Sequence, residues 1–483
     1  MTSTFEEDPH MSSSTQLVRS AALVASIVVI SACSADPTST DAGVSEPPPS
    51  PVYTAGGVPI PEASAALNAV LAGNAQAVAA APSLVPPGVP LAPFVEARLY
   101  AISNVAMHDA LNAIVPRFER YADTGHLDHH ADLTAAVLTA ARDAIVGADP
   151  GASESTNAWY ASAIASVSGA SGFAEGVAIG QRSAAAILAR RAADGTAGGG
   201  VGPYVPGSHP GDYRFTFPFN TPGFDFFGTG GFADANLWGT TVTPFVVTST
   251  SQFRAPHPYG APSNAAAVQT ARYTHDYNEV AALGCAGCLT RTAAQTEIAL
   301  FWMENSPTGW NRIARTIADQ RDLDAWDTAR MLALLQMGEF DAYSTSLESK
   351  YYYNFWRPVT AVALAGSDGN PDTSPIGGWE VLAFPTPPVP DYPSAHAGAG
   401  GAAAAIIEAI LPVNGPAFST SSGSLPGVTR SFLTVADAAK ENDESRVYIG
   451  YHFRFATEAG ETQGRKVGSY VADNALRAIH GSK

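Results

Sequence analysis

Between Pro93 and Val115 the apolar side chains Val95, Leu99, Ile102, Ala106, Ala110 and Ile114 recur at helical spacing, and the opening proline suits a first helical turn. The same period predicts helices over 62–81, 133–147, two within 157–193, and then 265–283, 293–313, 323–356, 397–411, 430–441 and 458–479. Strand signals are few and no internal repeat is visible. The pattern is that of an all-α, helical-bundle protein. Two stretches break it. From 194 to 259 the texture changes to Gly, Pro, Phe and Tyr, a long irregular segment of the kind that walls functional sites. From 373 to 393 runs a proline-rich loop.

Composition narrows the picture. The chain has 483 residues, 46% of them apolar, and a formal charge of −18, which argues against nonspecific nucleic-acid binding. Residues 11–33 read as an export signal: Arg19 is the sole cation, Ala21 to Ile30 the apolar core, and Ile30-Ser-Ala-Cys33 a lipoprotein-type box. The acidic run at 5–8 is odd for a signal and points to Met11 as the start, or to residues 1–10 as inert; the alternative to the lipoprotein reading is a plain cleaved signal without lipid. Cys33 would carry the lipid, 34–59 is a flexible tether, and 60–483 the folded domain. No later run approaches the ~20 apolar residues of a membrane span. The expected location is the cell envelope, or the periplasm or exterior, with membrane attachment only through the N-terminal lipid. In an exported protein the remaining pair, Cys285 and Cys288, is expected to form a disulfide.

The candidate chemistry lies between Lys350 and His452 in three patterns: Lys350-Tyr-Tyr-Tyr-Asn-Phe-Trp-Arg357-Pro358, then Pro393-Ser394-Ala395-His396, then Ser445-Arg446 followed six residues later by His452. Together they offer three cations, a hydroxyl and two imidazoles. Arginine's fork can grip two oxygens at once and lysine adds a point charge, so the set suits a tetrahedral oxyanion. Ser394 reads as the cap of the helix that follows, whose first amides would face the anion. Lys350 and Arg357, seven apart, would lie on one face of a helix ending at Arg357 because of Pro358. The background is acidic, so these cations are not part of a generally basic surface.

The order Lys-x6-Arg-Pro, Pro-Ser-Gly-His, Ser-Arg-x5-His resembles the signature of the type-2 phosphatidic acid phosphatase superfamily, which includes the vanadium-dependent haloperoxidases. The wording "KYYYNFWRPVTAV", "YPSAHA" and "SRVYIGYHFRF" looks like the bacterial haloperoxidase-related branch. The resemblance implies two four-helix bundles in one compact domain. It implies that Lys350, Arg357 and Arg446 hold equatorial oxygens of vanadate or phosphate, helped by Ser394 and the Ala395 amide. His396 would be the acid–base residue, and His452 the vanadium ligand or phosphatase nucleophile. There are three departures. Ala395 stands where the family has Gly, and a positive φ there would be costly. Ala456 stands where an Asp often orients the last histidine, leaving Glu458 or Asp341 as stand-ins. Val389 stands where halogenating members carry Phe or His.

Three functions are compatible with these residues: a vanadate-dependent haloperoxidase-like enzyme taking peroxide and halide, an acid phosphatase taking phosphoesters through a phosphohistidine, and a noncatalytic anion-binding surface lipoprotein. Two other histidine clusters carry less. His108-Asp109 on the helix 93–115 reads as a satisfied core pair. His126, His129 and His130, among Asp123, Asp128 and Asp132, could form a divalent-metal site but read more simply as a polar loop with Asp132 capping the next helix.

Overall fold

The helix that organises the protein is α11, Ala325–Tyr353, and every residue from Met331 to Lys350 on it is buried. A helix buried all round must have partners on all sides, and α11 lies between two bundles. This computed structural model describes residues 63–85, 87, 90–125, 128–196, 206–221, 235–411 and 417–479. The signal, Cys33, the tether and His126 lie outside them.

The first bundle packs α1 (Ala63–Ala80), α2 (Pro93–Ile114), α3 (Leu133–Ala148) and α5 (Phe173–Arg191) against α11, with α4 (Ser153–Ala165) on its flank. Helices α6 (Ala235–Thr240), α7 (Asn264–Ala267), α8 (Ala271–Leu283), α9 (Ala293–Phe301) and α10 (Ser306–Gln320) lead into α11, and α12 (Pro358–Leu364) follows it. The second bundle joins α13 (Ala395–Ile410), α14 (Val435–Tyr448) and α15 (Arg454–Asn474) to α11. Glycines let α13 and α15 touch backbone to backbone: a Cβ on Gly464 would come within 1.9 Å of Gly398 O. That close approach fixes the start of α13, which carries His396, beside the loop that carries His452.

The sequence reading needs correction at several boundaries. The expected helix 293–313 is two, because Pro307 opens α10 as its second residue and cannot continue a preceding helix. The expected helix 430–441 starts as strand: β1 (Phe418–Ser421) pairs antiparallel with β2 (Thr429–Phe432), and α14 begins only after Thr434, whose side chain makes a reciprocal cap with Asp437. The helix expected to run to Trp356 stops at Tyr353, with Asn354 left-handed at φ 53°. The remaining ranges shift by a few residues or divide at a turn, as usual for periodicity alone.

His108 and Asp109 are a fully buried pair, Nδ1 to Oδ1 2.9 Å, and Asp109 also accepts from the amides of Tyr121 and Ala122. Asp132 caps α3, and His129 Nδ1 meets the Ile114 carbonyl at 2.6 Å. Among the described residues one group, His275, Asp276 and Glu279, has ligand atoms close enough for a metal ion, but Glu279 is spent on Arg454 at 2.6 Å. Cys285 and Cys288 are joined by a disulfide, S–S 2.08 Å. No described helix is long and apolar enough to cross a membrane.

Candidate functional site

All three patterns converge on one cavity of about 480 Å³, whose wall includes Lys350, Arg357, Ala395, His396, Arg446 and His452. Lys350 sits in the last turn of α11, where a cation is favoured. Arg357 is not at that helix's C-terminus, as expected; it is the residue before α12, held extended at φ −82°, ψ 156° by Pro358. Ser394 precedes α13 and accepts from the Ala397 amide at 3.3 Å, as the cap reading expects. Ala395 is the first residue of that helix and is not among the positive-φ residues, so alanine replaces glycine there without backbone strain. Arg446 lies in the last turn of α14, and His452 on the short link to α15.

The cations are buried and held by carbonyls rather than by acids. Lys350 Nζ donates to the carbonyls of Pro390 and Asp391 at 2.7 and 2.8 Å, leaving one N–H for a ligand. Arg357 donates through Nε to Val389 O at 2.8 Å and through Nη1 to Tyr451 O at 2.9 Å. Arg446 donates to Ser445 Oγ at 3.0 Å and to Trp302 O at 2.9 Å. Burial, then the neighbouring Arg357, pulls the Lys350 ammonium well below its usual range, and burial brings Arg446 down to about 10. Carbonyl dipoles stabilise these charges without cancelling them, so the cradle stays net positive.

Both imidazoles are held neutral. Burial, followed by Arg357, Lys350 and Arg446, lowers His452 well below the usual range; burial and Arg446 do the same to His396. His396 Nδ1 meets Ser306 Oγ at 3.1 Å, and the Asn442 side chain and the Trp302 backbone also lie against the ring and oppose the lowering. His452 Nε2 lies 2.9 Å from Arg357 Nη1.

The acid beside His452 is Asp391. Its Oδ1 is 2.9 Å from His452 Nδ1 and 3.9 Å from Arg357 Nη1. The backbone amide of Phe453 also faces this carboxylate and favours its charged form. Burial, opposed by Arg357 and Lys350, raises its pKa to about 7. The two expected stand-ins are engaged elsewhere. Asp341 accepts from the amides of Phe245, Val246 and Val247 at 2.6, 2.8 and 2.9 Å, and Glu458 pairs with Arg272 in solvent. Asp391 and Ser306 were not singled out from the sequence. The available signal for Asp391 was an acid only three residues before the motif serine.

The cavity floor is therefore an unneutralised cationic cradle with two neutral imidazoles, and residues 330–481 match the family model for the VCPO second helical-bundle domain. A vanadium chloroperoxidase from Curvularia inaequalis is 33% identical over 197 residues, which takes in 35% of this chain and 31% of that protein. The second helical bundle therefore belongs to the superfamily of the vanadium-dependent haloperoxidases. The match thus spans about a third of that curated relative's length. Two solved structures share the superfamily fold over most of their length. One is described as the first bacterial vanadium-dependent iodoperoxidase, with TM-score 0.67, 21% identity, and 87% of this chain on 99% of that one. The other is an apo-type bacterial vanadium-dependent chloroperoxidase, with TM-score 0.63, 16% identity, and 80% on 95%.

Proposed function

We propose that the chain is a vanadate-dependent haloperoxidase-like enzyme that uses peroxide to oxidise halide. The observation that carries the reading is the convergence of Lys350, Arg357, Arg446, His396 and His452 on one cavity. That donor set fits a tetrahedral oxyanion: three cations would hold its oxygens and a neutral imidazole nitrogen would face its central atom. Vanadate, when bound, supplies the Lewis-acidic centre at which peroxide is activated.

The protein's own contributions follow from the geometry. Arg357 and Arg446 would hold the anion, and Lys350 would give it its remaining N–H. The Ser394 cap holds the first amides of α13 toward the same anion. His452, neutral and with Asp391 beside Nδ1, would hold the group through Nε2, the atom that lies 2.9 Å from Arg357 Nη1. His396, held neutral on the cavity wall, could take a proton from a bound oxygen and return it.

The test assays bromination of a dimedone reporter by the vanadate-loaded protein, and hydrolysis of p-nitrophenyl phosphate by the vanadate-free protein. His452→Ala is expected to lose stable vanadate incorporation and all turnover. His396→Ala should keep vanadate more weakly and lose most turnover, with a shifted pH–rate profile. Phosphate-ester hydrolysis without bromination would make the chain a phosphatase. Turnover surviving in both variants would remove these residues as the site.

A further inference from the structure

Whatever is made at the cradle leaves through the cavity, and the described wall of that cavity carries one thioether. Met303 lies on the link between α9 and α10, borders the cavity and is 38% exposed. The other described methionines, Met107, Met331 and Met337, are fully buried at 0%. The residue before Met303 is Trp302, whose carbonyl accepts from Arg446 at 2.9 Å, so this sulfur sits one residue from a support of the cradle. Other reactive groups on the wall are engaged. The Tyr451 hydroxyl donates to Ala383 O at 2.6 Å, Tyr343 is buried with Ser306 as its partner, and Lys350 is held by two carbonyls. A thioether is soft and polarizable, and it has no proton to lose before it reacts.

We propose that Met303 is a modification site, oxidised to the sulfoxide during turnover by hypohalous acid on its way out of the cavity. The inference rests on the haloperoxidase reading and deepens it, because peroxide and halide supply the oxidant. The sulfur lone pair takes the halogen from hypohalous acid and hydroxide leaves. Water then bonds to the sulfur, and halide departs. The net change is thioether and hypohalous acid to sulfoxide, halide and one proton: sulfur loses two electrons and the halogen gains them. The new oxygen therefore comes from water. Direct attack on peroxide would instead put a peroxide oxygen on the sulfur, so the source of the oxygen records the route. Met107, Met331 and Met337 are shielded from either route by burial.

The experiment reads the sulfur by peptide mass spectrometry. The full chain, loaded with vanadate, turns over bromide and ordinary peroxide in heavy-oxygen water, and a parallel sample with the dimedone reporter reads turnover. A third sample omits bromide. With bromide, the peptide that carries Met303 is expected to gain one heavy oxygen, at least about tenfold more often than the peptides that carry Met107, Met331 and Met337. Without bromide it should gain none. Bromination that leaves Met303 a thioether, or that leaves it with only light oxygen to the same extent with and without bromide, overturns the modification site and leaves the proposed function intact. Absence of bromination from the vanadate-loaded protein overturns the proposed function and, with the oxidant gone, this site as well.

Discussion

Asp391 makes a prediction with two opposite signs. Its carboxyl is raised from the usual 3.8 to about 7 by burial, so the folded state holds a proton that the unfolded state has released. The stability contribution is nil below the unfolded value, falls as pH rises from about 4 to 7, and is fully unfavourable above that. A rise of that size corresponds to about 4 kcal/mol, an upper figure for a coupled buried group. Asp391→Asn keeps the shape and removes the titration. In the vanadate-free protein it is expected to raise the unfolding temperature at pH 8 and leave it unchanged near pH 4. The same substitution should weaken vanadate binding, because the partner that orients His452 is lost; such partners affect metal affinity by about 10- to 100-fold. Calorimetric unfolding at both pH values and vanadate titration at pH 8 read the two effects separately. A double variant, Asp391→Ala with Ala456→Asp, returns the acid to the family's usual position and should recover part of the affinity. If Asp391→Asn is less stable at pH 8, or binds vanadate like the parent, Asp391 is not the partner of His452.

Arg446→Ala and Lys350→Ala should each weaken vanadate and phosphate binding at least tenfold, since a charge-assisted contact contributes about 1.5–3 kcal/mol; equal calorimetric affinity in all three proteins would place the anion elsewhere. Ser306→Ala removes the hydroxyl 3.1 Å from His396 Nδ1. It should shift the pH–rate profile while bound vanadium stays constant, and Ser306→Thr should restore the profile; an unmoved profile makes Ser306 merely structural. Glu339 is fully buried, and burial with nearby Glu96, opposed only by the Gln336 side chain, raises its pKa well above the usual range. Its folded state also holds the extra proton, so Glu339→Gln should raise the unfolding temperature at pH 8 more than at pH 4.5; equal shifts would refute the assignment.

The residues of the cradle were legible because their chemistry is local. Lysine, two arginines, two histidines and a serine cap sit in short patterns, and each pattern lies at or beside a helix end. The class of fold was legible for the same reason, since helical period survives in a single sequence. What was not legible depends on contacts across the chain. Arg357 was placed at a helix end because only the proline after it could be seen. The earlier break at Asn354 and its left-handed turn are set by packing: Tyr213 N donates to the Asn354 carbonyl and Trp356 N to Gly211 O. Ser306 lies 90 residues from His396, and no periodicity links them. The strand Thr429–Phe432 exists because Phe418–Ser421 pairs with it, and four residues of strand leave little trace against helical neighbours.

Asp391 lies between these two cases. The family pattern asks for an acid after the last histidine, on the first turn of α15, and that position is Ala456. Here the acid comes from the other side, on the loop before α13. The two positions are neighbours in space because Ser394 N donates to Ala456 O at 2.8 Å, and because the rings of Tyr392 and Phe455 stack at 4.9 Å between the same two segments. A carboxylate can therefore reach His452 from either side of this junction. What the site requires is an acid within reach of Nδ1, not an acid at one sequence position. From 452 to 391 is 61 residues backward along the chain, so a search confined to the motif's own spacing looks on the wrong side of the histidine.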